Sequence, residues 1–146
     1  MSDFEIKTIA AEFVLPLRQK LLRPGANLKK CVFEGDNDIN SFHLGIYQDE
    51  KLRGIASFLK ENHPHFPQKA FRLRGMAIET AFQGKGYGRK LFEHGIGILK
   101  SKQAELLWFN AREKAVGFYK KQGFRTLNEK FIISEVGPHY MMAGKL

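Results

Sequence analysis

Gln83-Gly84-Lys85-Gly86-Tyr87-Gly88-Arg89 packs three glycines and two cations into one short run. The run follows an apolar stretch with strand character, Ala70 to Ile78. It opens a segment in which Tyr87, Leu91, Ile98 and Leu99 recur at helical spacing. The first turn of a helix has free backbone N–H groups and the positive end of the helix dipole. Glycines let a phosphate reach those groups with no Cβ in the way. The chemistry on offer is a pyrophosphate cradle, with Lys85 and Arg89 adding positive charge. Two nucleotide readings fit poorly. A dinucleotide fold wants G-x-G-x-x-G after the first strand of a parallel unit, and the spacing here is G-x-G-x-G late in the chain. A P-loop wants G-x-x-x-x-G-K-[ST], which is missing. Taken alone, the loop is also consistent with a plain turn.

The elements that must position this loop follow from periodicity. Phe4 to Ile9 alternates as a strand. Ala10 to Leu22 has helical spacing that Pro16 starts or kinks. Ser41 to Gln48 and Leu52 to Leu59 read as a hairpin closed at Asp49-Glu50-Lys51. After the glycine loop comes a helix containing Gly95 and Gly97, which close packing on a sheet would explain. Leu106 to Phe109 is a short strand, and Arg112 to Gln122 a second helix ended by Gly123. Phe124 to Ser134 and Tyr140 to Ala143 are the last strands. The fold class is α/β of the mixed α+β kind: one domain over residues 1–146, with a central mixed, largely antiparallel sheet of six to seven strands and helices on both faces.

At these residues a resemblance emerges. Gln83-x-x-Gly86-x-Gly88 resembles the Q/R-x-x-G-x-G/A signature of the GNAT acyl-CoA N-acyltransferase superfamily. Ala115-x-x-Phe118-Tyr119-x-x-x-Gly123-Phe124 resembles that family's second signature helix. The element order from residue 4 to 143 matches too, and the tail Glu135-x-Gly137-Pro138-His139-x-x-Met142 resembles the ElaA-like branch. The resemblance implies a GNAT-like fold and acetyl-CoA as acyl donor. It puts the CoA pyrophosphate on the backbone N–H groups of Gly84, Lys85, Gly86, Gly88 and Arg89, with Gln83 and Tyr87 in the same loop. It lays the pantetheine arm along Met76, Ala77 and Ile78, and makes Tyr119 the acid that protonates the departing thiolate. The acceptor pocket is expected between the 10–41 region and the 131–142 tail.

The chemistry agrees with that assignment. Acyl transfer from a thioester to an amine needs a base for the amine, a donor for the oxyanion and a proton for the sulfur. The Ile78 backbone N–H is the expected oxyanion donor, and a phenol with an unperturbed pKa near 10 suits a thiolate. Several family members carry a glutamate base on the strand before the loop. Arg72 stands there in this chain and cannot accept a proton. Glu79, Glu135 and His139 are the remaining candidates, with His139 the best matched by unperturbed pKa. Many members also carry Asn three residues before the helix alanine. That position is Arg112 here, with Asn110 nearby, and either could contact pantetheine or substrate.

Composition excludes several classes. The single Cys31 cannot form an internal disulfide and reads as a buried small hydrophobe. No cysteine-rich zinc spacing exists, and His63-Pro64-His65 finds no partner cluster, so no metal is expected. No apolar run approaches a membrane span and the N-terminus is unlike a signal peptide, so the chain reads as cytoplasmic. The formal charge of +9 is spread along the sequence and supports no specific nucleic-acid partner. It disfavours polycationic acceptors and leans toward a neutral or zwitterionic small-molecule amine. A monomer or homodimer is the expected state. The alternative to an enzyme is a non-catalytic acyl-CoA-binding sensor, which Arg72 in place of a carboxylate would suit.

Overall fold

Alternation along the strands divides the apolar side chains into two sets, and the sheet is built to separate them. In the computed structural model, which describes residues 3–134 and 136–146, eight strands form one sheet. They are β1 (Phe4–Ile9), β2 (Phe42–Gln48), β3 (Lys51–Lys60), β4 (Ala70–Ile78), β5 (Leu106–Arg112), β6 (Arg125–Thr126), β7 (Phe131–Ile133) and β8 (Gly137–Lys145). Their order is β1-β2-β3-β4-β5-β8-β6, with β7 pairing β8 off that path. Only β4 and β5 pair in parallel; every other pair is antiparallel. The helices are α1 (Leu15–Leu21), α2 (Tyr87–Ser101) and α3 (Val116–Lys121). No described helix is long and apolar enough to cross a membrane.

The larger core lies on one face. There α2 and α3 bring Leu91, Phe92, Leu99 and Tyr119 against Phe58, Phe71, Leu73, Leu107, Phe109 and Met142. On the other face α1 and the 3-10 turn before it bring Leu17 and Val14 against Ile55 and Ala77. Further along that face Trp108 packs with Ala70, Leu106 and Ala143. Helices therefore cover both faces. Gly95 explains the closeness of α2 to the sheet: a Cβ there would sit 2.1 Å from the Phe58 ring. Gly97 has open space instead, so packing does not account for it.

Several boundaries differ from the sequence reading for definable reasons. The strand expected to stop at Phe109 runs to Arg112, because β8 pairs with it as far as Arg112↔His139. Asn110 and Arg112 are thus strand residues, and the following helix is a 3-10 turn (Glu113–Ala115) leading into a short α3. The segment Phe124 to Ser134 splits into β6 and β7, raising the strand count to eight. Between them Asn128 Oδ1 accepts the Met141 N–H at 3.1 Å, a side chain taking the place of a ladder bond. Pro16 lies in the first turn of α1, where its missing N–H costs nothing.

The feature that shapes the middle of the sheet is a bulge. Ile55 to Ser57 on β3 faces Ala77 to Arg74 on β4, so β4 carries one extra residue. Gly75 takes φ +66 there, and a Cβ on it would meet the Phe33 ring at 2.9 Å. Bent at this point, β4 pairs with β5 only from Ala70↔Leu106 to Arg72↔Trp108. Beyond Arg72 the facing edges of β4 and β5 diverge and leave their ladder positions open.

Candidate active site

The divergence of β4 from β5 opens a cavity of about 620 Å³ through the centre of the sheet. Its floor is the narrow end, where the two strands still pair. Its lining reaches Ile78, Gln83 and Gly88, next to the glycine loop. Gly84 and Gly86 both take φ +80, and Gly86 is the left-handed residue immediately before α2. A Cβ at Gly86 would meet nothing within 4 Å, so the approach to the helix N-terminus is open.

The two walls differ in chemistry. On the α2 face the wall is Leu73, Phe109, Ala111, Ala115 and Tyr119. Tyr119 is 7% exposed, with its ring 4.4 Å from that of Phe109 and 5.3 Å from that of Phe92. Burial pushes its phenol up to about 12, so it holds its proton throughout the neutral range. On the α1 face alternation places Arg72 and Arg74 of β4, Asn110 and Arg112 of β5, and His139 of β8. Arg23, Phe33, Ile133 and Val136 complete that side. His139 is buried, and its Nδ1 donates to the Gly137 carbonyl at 2.8 Å. A carbonyl only accepts, so the neutral ring carries its proton on Nδ1 and leaves a lone pair on Nε2.

This arrangement can be set beside known proteins. The model of the acetyltransferase (GNAT) family matches residues 11–124. The chain belongs to the GNAT acetyltransferase family. It is 35% identical over 139 residues to an uncharacterized N-acetyltransferase, YitI, of Bacillus subtilis, a match that covers 94% of this chain and 93% of that one. Escherichia coli ElaA shares the fold at a TM-score of 0.77 and 16% identity, covering 99% of each chain. A chain of the NatC complex bound to Gag peptide and CoA does so at a TM-score of 0.77 and 12% identity, also covering 99% of each. Acyl transfer is the reaction class of this GNAT protein.

The residues expected to meet the donor fall around the cavity unevenly. Met76, Ala77, Ile78, Gln83, Gly88, Asn110, Arg112 and Tyr119 all line it. Gln83 acts through its side chain, donating to the Ile78 carbonyl at 3.0 Å and so fixing the loop to the end of β4. Tyr87 lies on the core face of α2 with Leu91, as its spacing implies. Its side chain is buried in the core and its hydroxyl donates to Gln48 Oε1, so only its backbone can face a ligand. Lys85 and Arg89 are exposed at the loop. The ammonium of Lys85 lies over the Phe82 ring, and Arg89 pairs with Glu93 at 2.6 Å one turn along α2.

Of the three candidate bases, Glu79 is removed by geometry. Its carboxylate is held by Lys20 at 3.3 Å and Arg53 at 3.5 Å, and it does not line the cavity. Glu135 lies outside the described residues. His139 remains. Among the described residues there is no group of three or more His, Cys, Asp or Glu that could hold a metal ion. Sequence reading missed the other arginines of the α1-side wall, Arg23 and Arg74. The signal was present in Arg72-Leu73-Arg74, since a one-residue spacing on a strand puts two side chains on one face.

Proposed function

We propose that the protein transfers the acetyl group of acetyl-CoA directly to the amine of a small molecule. The observation that carries this reading is the open edge of β4 beyond Arg72, running to a glycine loop at the N-terminus of α2. The residues present fit the donor: an unpaired strand edge for the amide-bearing pantetheine arm, and bare N–H groups for its pyrophosphate. Acetyl-CoA supplies the activated acyl group.

The backbone N–H groups of Gly84, Lys85, Gly86, Gly88 and Arg89 hold the phosphates, and Met76, Ala77 and Ile78 align the arm. Ile78 offers its N–H to the thioester oxygen. The Met76 N–H, at the bulge and nearer the narrow end, is a second donor that the gap geometry favours. His139 Nε2 takes a proton from the amine, directly or through one water, as the C–N bond forms. Tyr119 gives its proton toward the sulfur as the C–S bond breaks. A pKa near 12 makes Tyr119 a weak acid. The same burial raises the basicity of a thiolate formed beside it, which keeps the pair matched. The buried free thiol of Cys31 suits a reducing compartment, and we place the protein in the cytoplasm.

Calorimetric titration with acetyl-CoA, with NAD and ATP as controls, tests the reading. Selective binding of acetyl-CoA, followed by thiol release on adding an amine, is the expected result. Failure to bind acetyl-CoA or any other acyl-CoA would withdraw it.

A further inference from the structure

The α1-side wall of the cavity carries a concentration of charge that acyl transfer alone does not require. Four arginines line the cavity, Arg23, Arg72, Arg74 and Arg112, and among the described residues no carboxylate does. Glu61 reaches Arg72 at 3.3 Å from outside the cavity and offsets one of the four charges. Among the described residues no carboxylate lies within ion-pair distance of Arg23, Arg74 or Arg112.

Two of these arginines sit over aromatic rings, and among the described residues only Nη1 of Arg72 is taken, by Glu61. The guanidinium carbon of Arg74 lies 4.0 Å from the centre of the Phe33 ring, and that of Arg72 lies 4.7 Å from the centre of the Trp108 ring. A ring beneath a guanidinium accepts no N–H···O hydrogen bond, so the N–H groups that no carboxylate takes remain for a planar oxyanion. Arg72 Nε is buried with no hydrogen-bond partner. Two groups on the same wall have the opposite need. Asn110 Oδ1 is buried and unpartnered, so it lacks a donor, and His139 Nε2 presents a lone pair. One wall therefore offers N–H donors with positive charge at one place and bare acceptors at another.

We propose that the acceptor carries both complements: an amine directed at His139 and Asn110, and a carboxylate or other oxyanion held by Arg74 and Arg72. The substrate class is thus an amino-acid-like amine. This rests on the acyl-transfer reading above and narrows it. The arginines are poorly placed for the donor's phosphates. They lie on the sheet face opposite α2, and Arg74 is four residues inward from Ile78, on the order of 10 Å of extended strand.

The test uses matched pairs: glycine against glycinamide, phenylalanine against phenylalaninamide, and O-phosphorylethanolamine against ethanolamine. Binding is read by fluorescence of Trp108, the single tryptophan, whose ring centre lies 4.7 Å from the Arg72 guanidinium carbon. Turnover is read as thiol release from acetyl-CoA. The oxyanion member of a pair is expected to bind and turn over about tenfold better or more than its neutral partner, the range of a charge-assisted pair. The carboxylate and phosphate pairs tell the two oxyanions apart. Arg74→Gln should erase that preference through KM while acetyl-CoA binds as tightly as to wild type. Equal use of both members, or no saturable response to any oxyanion member, overturns the proposal. So does an Arg74→Gln variant that weakens acetyl-CoA binding instead of acceptor binding. The fluorescence titration needs no donor, so it judges the arginine wall even if the donor titration fails, which would instead sink the acyl-transfer reading.

Discussion

Phe33 carries two arginines on its ring, and the chain treats them in opposite ways. The guanidinium carbon of Arg18 is 3.8 Å from the ring centre and that of Arg74 is 4.0 Å away. Arg18 is 1% exposed, and its charge is met within the chain through Nη1 and Nη2, although its Nε is buried without a partner. It donates to both oxygens of Asp36 at 2.7 and 2.8 Å, to Ser57 Oγ at 2.8 Å and to the Cys31 carbonyl at 2.9 Å. His43 braces the same network through Ser57 at 2.6 Å and the Asp36 carbonyl at 2.9 Å. Arg74 is half-buried, has no carboxylate partner among the described residues, and looks into the cavity. Burial, with the charge of Arg72 next, pulls its pKa below the ordinary arginine value, yet it stays charged at neutral pH. The difference separates two uses of one residue type. A charge needed for folding has its counter-ion built into the chain, whereas a charge facing a site is left for a ligand to neutralise.

Breaking the provided-for side should give the largest effect. Asp36→Ala strands a buried guanidinium and should cost about 3–5 kcal/mol of stability, read by urea denaturation. The same pair predicts an acid signature. Burial alone would raise the Asp36 carboxyl, but the Arg18 hydrogen bonds, the Phe33 N–H and the Arg18 charge outweigh it and hold the pKa below 3.8. A depressed carboxylate stabilises the fold above its unfolded pKa and loses that contribution as pH falls through the folded value. Wild type should therefore weaken below about pH 4 with a slope the Asp36→Ala variant lacks.

Tyr119 tests the ligand-facing side on the opposite wall. Tyr119→Phe should lower turnover by roughly 10²-fold or more while acetyl-CoA affinity is kept, the range for loss of a positioned proton donor. Normal turnover would remove Tyr119 from the mechanism. The raised pKa gives a second reading with the opposite pH sense to Asp36. The contribution of the neutral phenol is complete below its unfolded value of 10.0 and lost as pH climbs through about 12. Alkaline denaturation should steepen by about 1.4 kcal/mol per pH unit in that window, and Tyr119→Phe should abolish that added slope.

A smaller effect is expected where the chain leaves space instead of charge. Gly88→Val puts a branched side chain in the first turn of α2, and acetyl-CoA affinity should fall by about tenfold, read by calorimetry, as close phosphate approach is blocked. Stability should hardly change, since valine suits a helix at least as well as glycine. Gly86 would be a poorer choice, because its φ of +80 makes any β-branched residue strained whatever the space around it.

The contrast also explains what could be read without coordinates. The glycine loop, the Tyr119 helix and the frame of β4, Ala70 to Ile78, were legible because each rests on local pattern: spacing, a turn, an alternation. The extension of β5 to Arg112 was not, because it depends on β8 arriving from far along the sequence. The bulge at Gly75 was not either, since it is a mismatch between two strands and leaves no mark in one of them. Among the candidate bases, sequence ranks His139 above Glu79 only by unperturbed pKa and says nothing of their place. Only the fold reveals that Lys20 and Arg53 hold Glu79 while His139 borders the cavity.

The smallest effect should come from Arg74 itself in the absence of ligand. Arg74→Gln removes a cation from the Phe33 ring, a loss of about 0.5–1 kcal/mol for a half-exposed pair. It also removes repulsion, because Arg72, Arg18 and Arg23 all press on the Arg74 charge and only Glu61 favours it. These terms oppose each other, so stability should stay within about 1 kcal/mol of wild type. Arg18→Gln, acting on the same ring, leaves the Asp36 carboxylate buried without its partner and should approach the cost of Asp36→Ala. Denaturation curves of the two arginine variants, run side by side, measure the distinction directly. Equal destabilisation would mean that Arg74 is a structural residue and that the cavity wall is charged for the sake of the fold.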